Sequence, residues 1–132
     1  MWGLAALVVL HLVVPVVMAL RSADLAASIK AANPELSPEN LRIATWVATG
    51  AAAAFHLVFV GAYVWLGLKV WAGRRWARLA LIAVLLAATA LSAVSFVSSP
   101  MFRAVIPFGD LLQIVLVVLL WTSARAPEEA RA

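Results

Sequence analysis

The stretch IATWVATGAAAAFHLVFVGAYVWLGL, residues 43–68, contains no Asp, Glu, Lys or Arg. A run of this length at 1.5 Å rise per residue is more than enough to cross a hydrocarbon layer of about 30 Å. Residues 2–20, 79–97 and 104–122 form three further apolar runs of roughly 19 residues each, interrupted only by Asp110 in the last, long enough for a membrane span. Across the chain 66% of the residues are hydrophobic and 12% charged. Soluble domains run near half apolar and a quarter charged, so this apolar content exceeds what one small water-soluble core would hide. In lipid only helices and closed barrels satisfy their backbone hydrogen bonds, and these runs lack the alternation of barrel strands. The expected fold is therefore all-α, a bundle of four transmembrane helices at about 2–20, 38–71, 77–98 and 100–122. They form one domain over residues 1–124, followed by a disordered cytoplasmic tail, 125–132.

The first run is expected to be an uncleaved helix rather than a signal peptide. No basic residue precedes it, its apolar length exceeds a signal h-region, and Leu20-Arg21-Ser22-Ala23 is a poor cleavage site. The chain contains no cysteine, which excludes disulfides, thiolate metal sites and cysteine lipidation. The net charge of +4 is spread over residues that flank apolar runs, so it is read as topology and lipid-headgroup contact and not as nucleic-acid binding. No phosphate loop, HExxH motif, nucleophile elbow or internal repeat is present, and neither a cofactor nor a metal is implied.

Lys69, Arg74, Arg75 and Arg78 crowd the short connection between the second and third runs, and no acid lies among them. The positive-inside rule puts such a loop in the cytoplasm. With Arg125 and Arg131 these make six basic residues, against Arg21, Lys30, Arg42 and Arg103 on the other side, so both termini are expected inside. Trp71 and Trp76 flank the turn as interfacial anchors, and Gly73 suits a helix C-terminus. The other connection, 21–42, places Leu25, Ile29 and Ala32 on one helical face, as in a short amphipathic helix on the external surface. Asn33-Pro34 ends it. Ser37, Pro38 and Glu39 then have the chemistry of an N-cap and a first helical turn.

At 100° per residue Thr45, Thr49, His56 and Tyr63 fall within about 40° of one another on the second helix. Ala88, Thr89, Ser92, Ser95 and Ser99 make a matching small and polar stripe on the third. Intramembrane polar groups face the interior of a bundle, so the two stripes are at least a packing seam. His11 lies near the middle of the first helix and His56 near the middle of the second, at depths where they can meet or line one cavity. For Asp110 two readings stand. In one, the last helix is kinked at Pro107 and Asp110 lies inside, paired with His11, His56 or a serine. In the other, Asp110 is an N-cap with Gln113 reaching back in a capping box. The first is preferred, because a helix begun at Asp110 leaves only about 18 Å of span.

These residues fit three functions. A non-enzymatic accessory or assembly subunit of a membrane complex, working with a protein partner or as a homo-oligomer, needs nothing beyond the bundle itself. A small oligomeric proton-coupled transporter would use His11, His56 and Asp110. A bis-histidine haem b protein would use His11 and His56 as axial ligands. The turn at residues 73–78, Gly-Arg-Arg-Trp-Ala-Arg, and the Gly109-Asp110-Leu111-Leu112-Gln113 segment resemble those of a group of small, uncharacterised four-pass bacterial membrane proteins. The resemblance spans the chain and implies location in a bacterial inner membrane, but no activity. Many Arg and Ala with few Lys suit a GC-rich bacterial genome.

Overall fold

Residues 2–98, 103 and 105–129 are described by the computed structural model of the chain. They form five α-helices and, among the described residues, no strand: α1 (Trp2–Leu20), α2 (Ser22–Ala32), α3 (Pro38–Trp71), α4 (Arg75–Ser98) and α5 (Ile106–Glu129). Three helical stretches, Trp2–Leu20, Pro38–Trp71 and Arg75–Phe96, are long and apolar enough to cross a membrane. The apolar part of α5, Ile106–Thr122, is shorter.

Local chemistry sets the boundaries. Ser37 is extended and its hydroxyl accepts from the Asn40 N–H at 3.2 Å, with Pro38 at the first helical position. That hydroxyl satisfies one of the amide donors left free at a helix start. At the other end Gly73 takes φ +76°. The Gly73 N–H bonds the Val70 carbonyl at 2.9 Å and the Arg74 N–H the Lys69 carbonyl at 3.0 Å. This is a Schellman closure, and a left-handed residue at that position is what lets the chain reverse into α4. Arg21, between α1 and α2, pairs with Asp24. The Lys30 ammonium closes the turn after α2 by donating to the Pro34 and Leu36 carbonyls at 2.7 and 2.6 Å. Leu25 and Ile29 are half-buried on the face α2 turns to α3, whereas Ala32 is exposed.

The last helix differs from its expected span at both ends. It starts at Ile106, with Arg103 and Val105 in turns, and residues 99–102 and 104, Ser99 of the expected polar stripe among them, lie outside the described ones. Pro107 is thus in the first helical turn, where its missing N–H leaves no hydrogen bond unmade, and it begins the helix instead of kinking it. Asp110 is accordingly not the N-cap. The helix also continues to Glu129, through residues 125–129 that were expected to be disordered; residues 130–132 lie outside the described ones.

Each of α1, α3, α4 and α5 packs on the next in that order, and α5 closes back on α1. α2 lies against α3 and touches α1. The densest packing is at the end of the α3–α4 turn, where Leu7, Tyr63, Leu66, Ala77, Leu81, Leu85 and Ala88 form one cluster. Glycines permit the close approach there. A Cβ on Gly67 would collide with Leu4, and one on Gly3 would lie 2.9 Å from Leu116 Cδ2. Toward the other end the helices stop filling the space between them, and a cavity opens.

Candidate functional site

Two imidazoles face each other across the α1–α3 contact. His11 Nδ1 bonds the Leu7 carbonyl at 2.9 Å, and His56 Nδ1 bonds the Ala52 carbonyl at 2.8 Å. A carbonyl only accepts, so in each ring Nδ1 carries the hydrogen and the neutral ring keeps a lone pair on Nε2. Each ring also returns its N–H to its own helix, four residues back, which fixes its orientation. The ring centroids are 5.5 Å apart. Tyr63 meets His11 edge-on at 5.1 Å, and Phe59 lies 6.0 Å from it. The Tyr63 hydroxyl is buried with no hydrogen-bond partner among the described residues.

A second set of polar contacts joins α4 to α5. Thr89 Oγ1 lies 2.7 Å from Gln113 Oε1, and the Ser92 hydroxyl bonds Asp110 Oδ1. The helices are antiparallel, so the ladder rises three residues on α4 as it falls three on α5. Gln113 is only 4% exposed and is the single buried polar residue among those described. Thr89 Oγ1 also reaches the Leu85 carbonyl at 3.0 Å, and Ser92 Oγ the Thr89 carbonyl at 2.8 Å.

The two sets border one partly open cavity of about 240 Å³ lined by α1, α3, α4 and α5. His11, His56, Ser92, Ser95, Asp110 and Gln113 line it among apolar groups that include Leu10, Phe55, Phe59 and Leu91. Sequence reasoning placed Thr45, Thr49, His56 and Tyr63 on one face of the second helix, but the helices in front of that face change along its length. Thr45 and Thr49 lie near the start of α3 and border a different cavity of about 470 Å³ against α2, with Arg42 and Trp46. Their hydroxyls donate to the Leu41 and Thr45 carbonyls at 2.8 and 2.9 Å. Tyr63 belongs to the packed cluster. Ser95 lines the main cavity while its hydroxyl donates to the Leu91 carbonyl at 3.1 Å. Lys69, Arg74, Arg75 and Arg78 stay at the α3–α4 turn, where Trp65 and Trp76 pack at 5.6 Å.

Sequence reasoning overlooked the Thr89–Gln113 contact. Its signal was present in the matched three-residue spacing of Thr89 and Ser92 against Asp110 and Gln113. Phe55 and Phe59, one turn apart and 5.0 Å from ring to ring, were also missed as lining groups. No group of three His, Cys, Asp or Glu able to hold a metal occurs among the described residues. The chain is thus helical, with three helices among the described residues long and apolar enough to cross a membrane, and a largely apolar cavity carrying a few polar groups between α1, α3, α4 and α5. No known family, curated protein or solved structure matches it.

Proposed function

We propose that this chain is a four-helix transmembrane bundle of a bacterial inner membrane, with both termini and the Arg74–Arg78 turn in the cytoplasm and α2 on the external surface. It acts without catalysis, as an accessory or assembly subunit that binds a protein partner or a second copy of itself within the bilayer. One observation carries the membrane reading: large apolar side chains point outward all round. Val13, Trp46, Val58, Leu86, Val94, Leu111 and Val118, drawn from all four long helices, are each more than 40% exposed. A protein apolar on the outside and polar at a few inner positions suits lipid as its solvent. Kinship with the four-pass group rests on the residue 73–78 turn and the Gly109–Gln113 segment.

Because the chain has no native cysteine, topology is testable without background labelling. A membrane-impermeant maleimide should label Ser28→Cys on intact cells, and Ala72→Cys only after permeabilisation. The reverse pattern would overturn the orientation. On mild extraction from its native membrane the chain should migrate with a stoichiometric protein partner or as an oligomer. A lone monomer would overturn the subunit reading.

A second reading is favoured by the convergence of His11, His56 and Asp110 on one cavity. In it the bundle, as an oligomer, is a small proton-coupled transporter. Uptake into liposomes driven by a pH gradient and abolished in His56→Leu would support it.

A further inference from the structure

We infer that the α3–α4 turn binds one anionic phospholipid, its phosphate held among Lys69, Arg74, Arg75 and Arg78 and its chains lying on the outer face of α3 and α4. The inference rests on the membrane reading above and deepens it, from a bilayer as solvent to a lipid as ligand.

The two ends of the bundle treat their cations differently. At the end that holds α2, Arg21 pairs with Asp24 at 2.6 Å and Arg42 with Glu39 at 2.7 Å. The Lys30 ammonium is spent on the Pro34 and Leu36 carbonyls, and Arg103 donates to the Phe96 carbonyl. At the other end none of Lys69, Arg74, Arg75 and Arg78 has an ion pair or a side-chain hydrogen bond among the described residues. The acids that share this end, Glu128 and Glu129 at the close of α5, are outnumbered two to one by these four cations. α4 also starts at Arg75 with no acid in its first turn, so its positive pole adds to the same field. Arg74 and Arg75 are exposed, but Lys69 and Arg78 are half-buried. Partial loss of water without a counter-charge is a cost that an incoming anion offsets.

The surface beside the cations selects a lipid over a free anion. Trp65 on α3 and Trp76 on α4 pack at 5.6 Å across the seam of the two helices. They and their neighbours Leu68, Trp71 and Leu79 are each at least half exposed, so the described chain leaves this face uncovered. Leading away from the turn, α4 offers Arg75, then Trp76, then Leu79, and α3 offers Lys69, then Leu68 and Trp65. Charge thus gives way to indole and aliphatic surface, as phosphate gives way to glycerol ester and acyl chain in a phospholipid. Indoles favour the ester level of a bilayer. Long basic side chains bury an apolar stem and keep the charged head at the polar level, which suits the half-buried Lys69 and Arg78. Guanidinium groups bind phosphate through paired N–H bonds, and three of these four cations are arginine. An inorganic anion would use the cations and leave the indoles and leucines idle.

The test is native mass spectrometry of the purified full-length protein in neutral detergent, titrated with phosphatidylglycerol or with phosphatidylcholine of the same chains. One phosphatidylglycerol should bind roughly fivefold or more tighter than phosphatidylcholine, about the factor that a single cation near an anionic lipid surface contributes. The preference should shrink as the salt concentration rises. Arg75→Gln/Arg78→Gln should cut it severalfold. Arg21→Gln/Arg42→Gln, which removes the same charge at the other end, should leave it intact, and inorganic phosphate should not displace the lipid. Equal binding of the two lipids, equal loss in the two double variants, or displacement by inorganic phosphate would each overturn the inference, the last by making a free anion the ligand. The wild-type preference and its salt dependence need no variant, so a misfolded double variant does not remove the test. Flotation with phosphatidylcholine vesicles separates two failures. Protein that floats but does not prefer phosphatidylglycerol overturns this inference alone, and protein that stays out of the vesicles overturns the membrane reading.

Discussion

Removing the Thr89 hydroxyl and its partner together should destabilise the protein by less than the sum of removing each alone. Thr89 Oγ1 and Gln113 Oε1 lie 2.7 Å apart across the α4–α5 contact, and Gln113 is 4% exposed. Thr89 Oγ1 also reaches the Leu85 carbonyl, and one hydroxyl hydrogen cannot serve two acceptors. The Thr89 hydroxyl donates to Gln113 Oε1 across the contact, in competition with the back-bond to the Leu85 carbonyl of its own helix. Thr89→Val keeps the shape but leaves the amide without that partner, at a cost of about 1–3 kcal/mol for an unsatisfied buried group. Interhelical hydrogen bonds within membrane proteins average about 0.6 kcal/mol and reach about 1.7, so the lower half of that range is expected, about 1–1.5 kcal/mol. Gln113→Leu removes the amide and returns Thr89 to its intrahelical bond, so the double variant should lose less than the sum of the two single changes. The six tryptophans provide a fluorescence signal for reversible unfolding in mixed detergent micelles. The four proteins of the cycle should give a coupling of about 0.5–1.5 kcal/mol. Additive losses, or a Thr89→Val protein as stable as the wild type, would refute the contact.

Three further changes test other parts of the fold. Tyr63→Phe removes a buried hydroxyl with no partner among the described residues, so stability should hold or rise by up to about 1 kcal/mol; a comparable loss would mean the hydroxyl is bonded. Gly73→Ala forces a side chain onto φ +76° at the Schellman closure and should cost about 1 kcal/mol, with Gly73→Asn milder, both read from unfolding midpoints. Ser37→Ala deletes the cap on Asn40 and should cost about 0.5–1 kcal/mol, visible as faster amide exchange over the first turn of α3 and unchanged exchange in α4.

The helices of this protein were legible because their signals are local. Charge-free length marked α1, α3 and α4, and Ser37-Pro38 and Gly73 marked where α3 begins and ends. The start of α5 was misjudged because Pro107 has two local meanings, a kink in a helix already under way and a first-turn residue. Only the path of the chain before it chooses between them. The site was legible in part. That polar residues face inward is a property of a single helix, so His11, His56 and Asp110 could be singled out. Which residues meet is a property of two helices in register, and no single-helix pattern contains it. Thr45 and Thr49 share the azimuth of His56 yet border another cavity, because depth along α3 decides which neighbour stands opposite.

Depth also divides the bundle's labour. Near the α3–α4 turn, Leu7, Tyr63, Leu66, Leu81 and Leu85 interlock, and Gly67 brings α3 within reach of Leu4. A cluster this tight carries the dispersion energy that holds helices together where lipid provides no hydrophobic drive. Toward the start of α5 the helices are joined by pairs of polar side chains around open space. Those contacts are individually weak. The half containing His11, His56 and Asp110 is thus the more loosely filled one. Gly109 adds to the separation. A Cβ there would lie 3.2 Å from Leu10 Cδ2, so the glycine lets α5 approach α1 beside the cavity without filling it. The packed half thus holds the helices together, and the cavity lies in the half that polar side-chain pairs bridge.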